Sequence, residues 1–179
     1  YIPGELDKRK LIQSIIFNSN NYFATSDNYF GAASTENPFL HTWTLAIEMQ
    51  FYLFLPLIVF LLNRKKALYL SVGLCIMLFA YTQYQIHIGN KGLMYYSLLA
   101  RTPEFLLGVI LSLLKWENKL NVKTQSALGI TGLVLIVASV FFINSETTFP
   151  GLITLIPCGG AILILVNKEG VVNSWLSTK

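Results

Sequence analysis

Charged residues are scarce in this chain of 179 residues: they make up 12% of the sequence, whereas hydrophobic residues make up 54%. Soluble globular domains carry about 25% charged residues, so this composition predicts a membrane protein. The net charge is +4. An excess of Lys and Arg in membrane proteins concentrates in cytoplasmic loops, and the sequence has no basic stripe with interleaved aromatic residues. We therefore expect membrane lipids, and no nucleic acid, among the partners.

Cysteine is equally scarce, with only Cys75 and Cys158, each inside an apolar run. A disulfide or a metal site needs clustered partner residues, which neither cysteine has in the sequence. We predict that both are small buried hydrophobic residues. The sequence also lacks a glycine-rich phosphate loop and a G-x-S-x-G elbow. No metal cofactor is expected.

Long apolar runs recur along the chain at about the 20-residue length that crosses a bilayer. They predict an all-α fold, a polytopic transmembrane helical bundle with about five spanning helices. The last run is short and is interrupted by Pro157, Gly159 and Gly160, which burial among other helices or bilayer thinning can accommodate. The predicted spans are Leu45–Leu62, Ala67–Ile86, Leu98–Leu114, Ala127–Ile143 and Leu152–Val166.

The polar segments suggest how the chain is organised. We predict part of one membrane domain, in which residues 1–37 are extracytoplasmic or interfacial and residues 38–179 form the transmembrane helices. Within the first part, the Asn-, Ser- and Gly-rich stretch Tyr22–Glu36 predicts a loop. The basic residues Arg64–Lys66 predict that the connection after the first span lies on the cytoplasmic side. Lys8–Lys10 would then lie on the extracytoplasmic side, against the same rule. The chain begins at Tyr1 without a methionine, and we expect a longer protein around it.

The stretch N-P-F-L-H-T-W-T-L-A-I-E-M-Q-F-Y, residues 37–52, carries polar groups into the first span. At about 100° per residue, four of them share one helical face, whereas Gln50 points to the opposite side. A polar stripe on an apolar span is expected to face the bundle interior or a wet cavity. It could bind a sugar hydroxyl, position a partner side chain or orient a histidine, or Glu48 could simply tie helices together. The four residues are His41, Thr44, Glu48 and Tyr52.

A second polar group lies on the third predicted span. Arg101 and Glu104 are three residues apart, so they either pair locally or reach Glu48 or a substrate. Gly108 and Ser112 continue the face of Glu104 at four-residue spacing, which predicts the close approach of another helix.

Aromatic residues and helix breakers complete the pattern. The aromatic residues Trp43, Tyr95, Tyr96 and Trp116 fit belts at the membrane interface. The segment Phe149–Gly151 and the break at Pro157–Gly160 predict either a simple kink or freed carbonyl groups that line a cavity.

Several of these stretches resemble the acyltransferase 3 family of membrane proteins. Residues 37–52 are similar to the family's N-P-L-L-H-T-W-S-L-A-V-E-E-Q-F-Y, and residues 101–108 to its R-x-x-E-[FL]-L-L-G. The likeness recurs at residues 149–157 and covers most of the chain. Two departures stand out. Thr44 replaces a serine but keeps a hydroxyl, and Met49 replaces an acid, which leaves Glu48 as the only carboxylate in the first stretch.

The resemblance implies an O-acyltransferase of the bacterial inner membrane that moves an acyl group, often acetyl from acetyl-CoA, to hydroxyls of a cell-surface carbohydrate. The acceptor would be O-antigen, exopolysaccharide, peptidoglycan or a lipid-linked glycan. A catalytic histidine and an R-x-x-R pair are expected upstream of Tyr1. In the bacterial branch of the family an SGNH-type domain often follows the membrane domain, and it would lie after Lys179. Residues 1–179 alone are expected to be inactive. Glu48 would orient or support the catalytic site, and the expected substrate-binding residues are His41, Trp43, Thr44, Tyr52, Arg101 and Glu104.

Two other functional classes stay open on the sequence. Broken helices and buried acids also occur in transporters, so a transporter or flippase for lipid-linked sugars is one alternative. Such proteins often contain paired repeats, which this chain lacks. A non-catalytic membrane scaffold is the other alternative, in which the polar groups only specify packing. Binding of coenzyme A by the intact protein would discriminate an acyltransferase from both.

Overall fold

Helices dominate the structure, a computed structural model that describes residues 8–26, 39, 41–114, 120–143, 149–167 and 170–177. No β-strand occurs within these ranges, which confirms the predicted all-α class. Residues 27–38, Trp116 and the chain ends lie outside them. A 3-10 turn, Leu152–Thr154, precedes the eighth helix. The helices are α1 Lys8–Ile15, α2 Ser19–Ser26, α3 Thr42–Leu61, α4 Arg64–His87, α5 Lys91–Tyr95, α6 Leu98–Leu114, α7 Val122–Phe142, α8 Leu155–Val166 and α9 Val171–Leu176.

Four segments of the described chain are long and apolar enough to cross a membrane: α3, α4, α5 together with α6, and α7. They match the first four predicted spans, and α6 agrees with its prediction at both ends. Asparagine caps set two of the starts, since the side chains of Asn63 and Asn121 accept hydrogen bonds from backbone N–H groups of α4 and α7. The predicted fifth span is shorter than expected, because its first residues form the 3-10 turn and leave 12 residues for α8.

Helices α4 and α6 pack against each other in opposite directions. Nε of Arg64, the first residue of α4, donates to the carbonyl of Leu113 near the end of α6 at 2.7 Å. Halfway along, Sγ of Cys75 lies 3.7 Å from the carbonyl oxygen of Pro103. Pro103 itself lies within α6. These contacts fix which turn of α4 faces which turn of α6.

Helices α1 and α2 are tied to the first half of α3 by polar contacts. Nε2 of Gln50 donates to the carbonyl of Phe17 at 2.5 Å and to Oδ1 of Asn20 at 3.0 Å. Asn20, which is fully buried, donates in turn to the carbonyl of Tyr96 at 3.3 Å. The loop predicted to begin at Tyr22 is therefore wrong in its first residues, because α2 continues to Ser26. Burial of its side chains stabilises a helix in a stretch whose composition favours a loop.

A largely aromatic cluster joins α2, α3 and the residue that follows α5. It consists of the buried residues Phe23, Trp43, Ile47 and Tyr96. Trp43 is 5% exposed and Tyr96 is 2% exposed, so the interfacial belt predicted for these two residues is wrong. The reason is tertiary: α2 folds back over the start of α3 and covers both rings, which a pattern of single residues cannot show.

A close backbone approach brings α7 against α8. A Cβ atom on Gly132 would lie 2.5 Å from the carbonyl oxygen of Gly160, and one on Gly160 would lie 2.6 Å from that of Gly132. Only glycine fits at this crossing. The close approach predicted at Gly108 does not occur among the described residues, since nothing lies within 4 Å of a Cβ placed there.

We expect Gly160→Ala to destabilise the protein and Gly159→Ala to leave it nearly unchanged. The added methyl at position 160 would collide with backbone, an overpacking that costs roughly 1–3 kcal/mol, whereas nothing lies within 4 Å of a Cβ at position 159. Thermal unfolding of the detergent-solubilised protein, followed by circular dichroism, measures the difference. Equal midpoints for the two variants would show that the α7–α8 crossing is not tight.

Candidate functional site

An ion pair lies near the middle of the third span. Nη1 of Arg101 is 3.4 Å from Oε2 and 3.5 Å from Oε1 of Glu104, one turn further along α6. The two side chains are 14% and 25% exposed. The local pairing expected from their spacing is therefore present. Since α5 and α6 together form a span of 24 residues, Lys91–Leu114, the pair lies well inside the apolar part of that span, where charged groups are costly and mark function.

Three aromatic rings surround the guanidinium of Arg101. Its Cζ atom lies 4.3 Å from the ring centroid of Phe149 and 5.6 Å from those of Trp43 and Tyr95. Aromatic faces attract cations, and the attraction grows when both are removed from water. The rings come from α3, from α5 and from the segment before the 3-10 turn. Cation–π contacts with Arg101 thus bring together three separate parts of the chain.

These contacts leave one N–H donor of the guanidinium without an acceptor. Its Nε atom is buried and has no hydrogen-bond partner among the residues that the structure describes. Arginine has five N–H donors in a planar fork. The site can therefore donate to an additional acceptor that reaches it.

A cavity of about 300 Å³ lies next to Glu104, between α4, α6 and α8. Glu104 and Thr154 are among the lining residues, but the surface that they present to the cavity is apolar. The Thr154 hydroxyl donates to the carbonyl of Gly151 at 2.8 Å and lies beside the Glu104 carboxylate. Cys75 and Cys158, which no sequence pattern connected, both line this cavity. The rest of the lining is apolar: Ile76, Phe79, Ala80, Pro103, Leu107 and Leu155.

The polar stripe of α3 lies apart from this cavity. His41, Thr44 and Tyr52 are exposed and Glu48 is half-buried. The opposite side of α3 carries the buried Trp43, Ala46, Ile47 and Phe51. Within the described part of the chain, Glu48 forms no hydrogen bond or ion pair, and the stripe points away from the other helices instead of into them.

The structure therefore divides the predicted site residues into two groups. Trp43, Arg101 and Glu104 come together, and Trp43 packs on Arg101. His41, Thr44, Glu48 and Tyr52 remain on the other side of α3. The sequence did not predict that Tyr95 and Phe149 pack on Arg101 or that Thr154 lies beside Glu104. The resemblance at residues 149–157 singled out the segment of Phe149, but nothing in it indicated contact with Arg101.

Metal ligands are not assembled at either place. Among the residues that the structure describes, no group of three or more His, Cys, Asp or Glu side chains could hold a metal ion. The groups available for chemistry are thus a caged guanidinium, a paired carboxylate, a hydroxyl and two thiols beside an apolar cavity.

We expect Arg101→Gln to destabilise the protein more than the double change Arg101→Gln with Glu104→Gln. Removing one partner of a buried ion pair leaves an uncompensated charge, at a cost of about 3–5 kcal/mol, and removing both charges avoids that cost. Thermal unfolding of the purified variants tests this. Lys65→Gln, at an exposed position at the start of α4, is the control. A double variant as unstable as the single one would mean that the aromatic cage, and not charge pairing, dominates.

Comparison with known proteins gives a consistent result. A family model described as an acyltransferase domain matches residues 10–175. An uncharacterized protein of Haemophilus influenzae is 31% identical over 180 residues, covering 92% of this chain and 74% of its own length. A Komagataeibacter xylinus protein named as a membrane-bound transacylase is 30% identical, with 90% of this chain and 42% of that protein covered.

A Staphylococcus aureus protein named as an O-acetyltransferase is 32% identical over 160 residues, which cover 79% of this chain and 26% of that protein. The chain thus spans less than half the length of these two functionally named relatives. No solved structure matches it. Because the family match covers nearly the whole chain, and the two motifs and the apolar helices agree with it, the chain belongs to this family of membrane acyltransferases.

Proposed function

We propose that this chain is part of an O-acyltransferase that moves an acyl group from acyl-CoA to a hydroxyl of a cell-surface carbohydrate. The observation that carries the proposal is the Arg101–Glu104 pair, enclosed by aromatic rings inside a span, in a chain of an acyltransferase family. Buried charges at membrane depth are expensive and are a functional signal. The names of the K. xylinus and S. aureus relatives agree with acyl transfer.

The chemistry requires a base, an acceptor and a stabilised carbonyl. A base takes the proton of the acceptor hydroxyl, whose oxygen attacks the thioester carbonyl; the thiolate of coenzyme A leaves and is protonated. Arg101 has N–H donors that can stabilise negative charge on the carbonyl oxygen, and Glu104 holds the guanidinium in place. The resemblance leads us to propose that the base is a histidine outside residues 1–179.

Glu48 fits a positioning role toward that base. It has no partner among the described residues and lies on the side of α3 that no described helix covers. A carboxylate that accepts a hydrogen bond from an imidazole fixes the tautomer and stabilises the imidazolium. We propose that Glu48 and Thr44 orient the histidine, and that His41 and Tyr52 contact the acceptor from the same stripe. The acceptor would be a surface polysaccharide or a lipid-linked glycan.

Location follows from the same proposal. A donor made in the cytoplasm and an acceptor at the cell surface place the enzyme in the bacterial inner membrane. Four segments of sufficient length and apolar composition support a multi-pass protein in contact with lipids.

We expect Glu48→Gln, made in the complete protein, to abolish acylation of the surface polysaccharide without lowering the protein level. The amide keeps the shape of the side chain but loses the charge that stabilises an imidazolium. Acyl groups released from purified polysaccharide by mild base, together with an immunoblot of the membrane fraction, measure both quantities.

The matched control is Gln50→Leu, two residues away on the opposite face. Gln50 ties α3 to α2 and to the turn before α2, so its loss should lower the amount of folded protein and activity in parallel. Wild-type acylation by Glu48→Gln would contradict the positioning role. Failure of the complete protein to bind coenzyme A would contradict the proposed reaction itself.

A further inference from the structure

The contact between Arg101 and Glu104 does not by itself fix the orientation of the guanidinium. Both of its distances, 3.4 Å and 3.5 Å, are measured from the same nitrogen, Nη1. A bidentate pair instead uses two nitrogens of the planar fork, which fixes the plane of the guanidinium relative to the carboxylate. A contact through one nitrogen supplies attraction, but the plane can still turn about it. Another group therefore has to set the direction of the remaining N–H donors.

Phe149 is the aromatic residue nearest to that guanidinium among the described residues. Cζ of Arg101 lies 4.3 Å from the ring centroid of Phe149, whereas the centroids of Trp43 and Tyr95 are at 5.6 Å. The Arg101 side chain is only 14% exposed, and the attraction between a cation and a ring face grows when both leave water. A planar guanidinium stacked on a ring cannot turn freely. This contact therefore fixes the plane that the ion pair leaves free.

The segment that carries Phe149 also reaches the other member of the ion pair. Thr154, five residues further on, is buried and lies beside the carboxylate of Glu104. A tight turn leads into it, because the backbone N–H and the hydroxyl of Thr154 both donate to the carbonyl of Gly151, at 3.0 Å and 2.8 Å. One short segment thus contacts the guanidinium of Arg101 and the carboxylate together.

We propose that Phe149 is a positioning residue for acyl transfer, whose ring holds the plane of the Arg101 guanidinium toward the thioester carbonyl. The proposal rests on the acyl transfer proposed above and adds a residue that acts through Arg101 without touching either substrate. N–H donors that are already oriented need no rearrangement when negative charge develops on the carbonyl oxygen. An effect confined to the transition state lowers kcat and leaves KM unchanged.

The test replaces Phe149 by phenylalanines with one, two or three ring fluorines, in the complete protein in lipid nanodiscs. Fluorine weakens the attraction of the ring face for a cation, while the side chain keeps nearly the same size. Acetyl-CoA is the donor, polysaccharide from a strain that lacks the protein is the acceptor, and released coenzyme A is measured by chromatography. We expect kcat to fall with each fluorine, by roughly tenfold with three, at constant KM for acetyl-CoA.

Ordinary substitutions and a second ring provide the controls. Phe149→Tyr keeps an aromatic face and should retain kcat within about twofold, whereas Phe149→Leu keeps only apolar bulk and should lose about as much as the trifluorinated form. Phe105, on α6, stacks on the ring of Phe51 with centroids 4.9 Å apart. The same fluorine series at Phe105 should give no graded fall in kcat, because its ring packs on another ring.

The outcomes separate the positioning role from the reaction itself. A constant kcat along the Phe149 series, or an equal fall along the Phe105 series, overturns the positioning role and leaves acyl transfer standing. A rise in KM at constant kcat overturns it as well, because the ring would then serve binding of the donor. If the wild type releases no coenzyme A from acetyl-CoA or from a longer acyl-CoA, the proposed function is overturned and the positioning role with it.

Discussion

A guanidinium placed inside a bundle of apolar helices has to be compensated, and the compensation of Arg101 organises much of this structure. Glu104 supplies the opposite charge from the same helix, at 3.4 Å. The ring faces of Trp43, Tyr95 and Phe149 supply the rest, and each arrives from a different part of the chain. An ion pair inside a protein often adds little stability by itself, because desolvation offsets the attraction. The pairing by itself therefore accounts for little stability, and its position inside an apolar span supports the catalytic role that we propose for it.

Helix α3 separates two tasks on its two sides. The side with Trp43, Ile47 and Gln50 packs and forms hydrogen bonds within the described structure, and it connects α1 and α2 to the Arg101 cage. The side with Glu48 is left without a partner among the described residues. Glu48 and Gln50 are only two residues apart, so half a helical turn separates a structural amide from the carboxylate for which we propose a positioning role. One short motif can thus contain residues under quite different physical demands.

Much of the fold was predictable, because the length of an apolar run is a local signal. The bounds of α6, which agree with the prediction at both ends, illustrate this. The Arg101–Glu104 pair was predictable for the same reason, since a spacing of three residues is a local property. The cage was not predictable, because Phe149 lies far along the chain from Arg101 and only the packing of the helices brings them together. The meeting of Cys75 and Cys158 at one cavity is of the same kind. The 27–38 segment, including the start of the first motif, lies outside the described residues.

The hydrogen bond from Arg64 to the carbonyl of Leu113 sets the register between α4 and α6. It joins the first residue of α4 to the end of α6, and this register determines which residues of the two helices meet at the cavity. A slip of one helical turn, about 5.4 Å, would place Ser71 or Phe79 at the level of Pro103 in place of Cys75. The first exchange would put a hydroxyl against the apolar wall, and the second would move the ring of Phe79, which already lines the cavity, to the level of Pro103. A charged residue at the start of α4 thereby sets the geometry of a cavity several turns away from it.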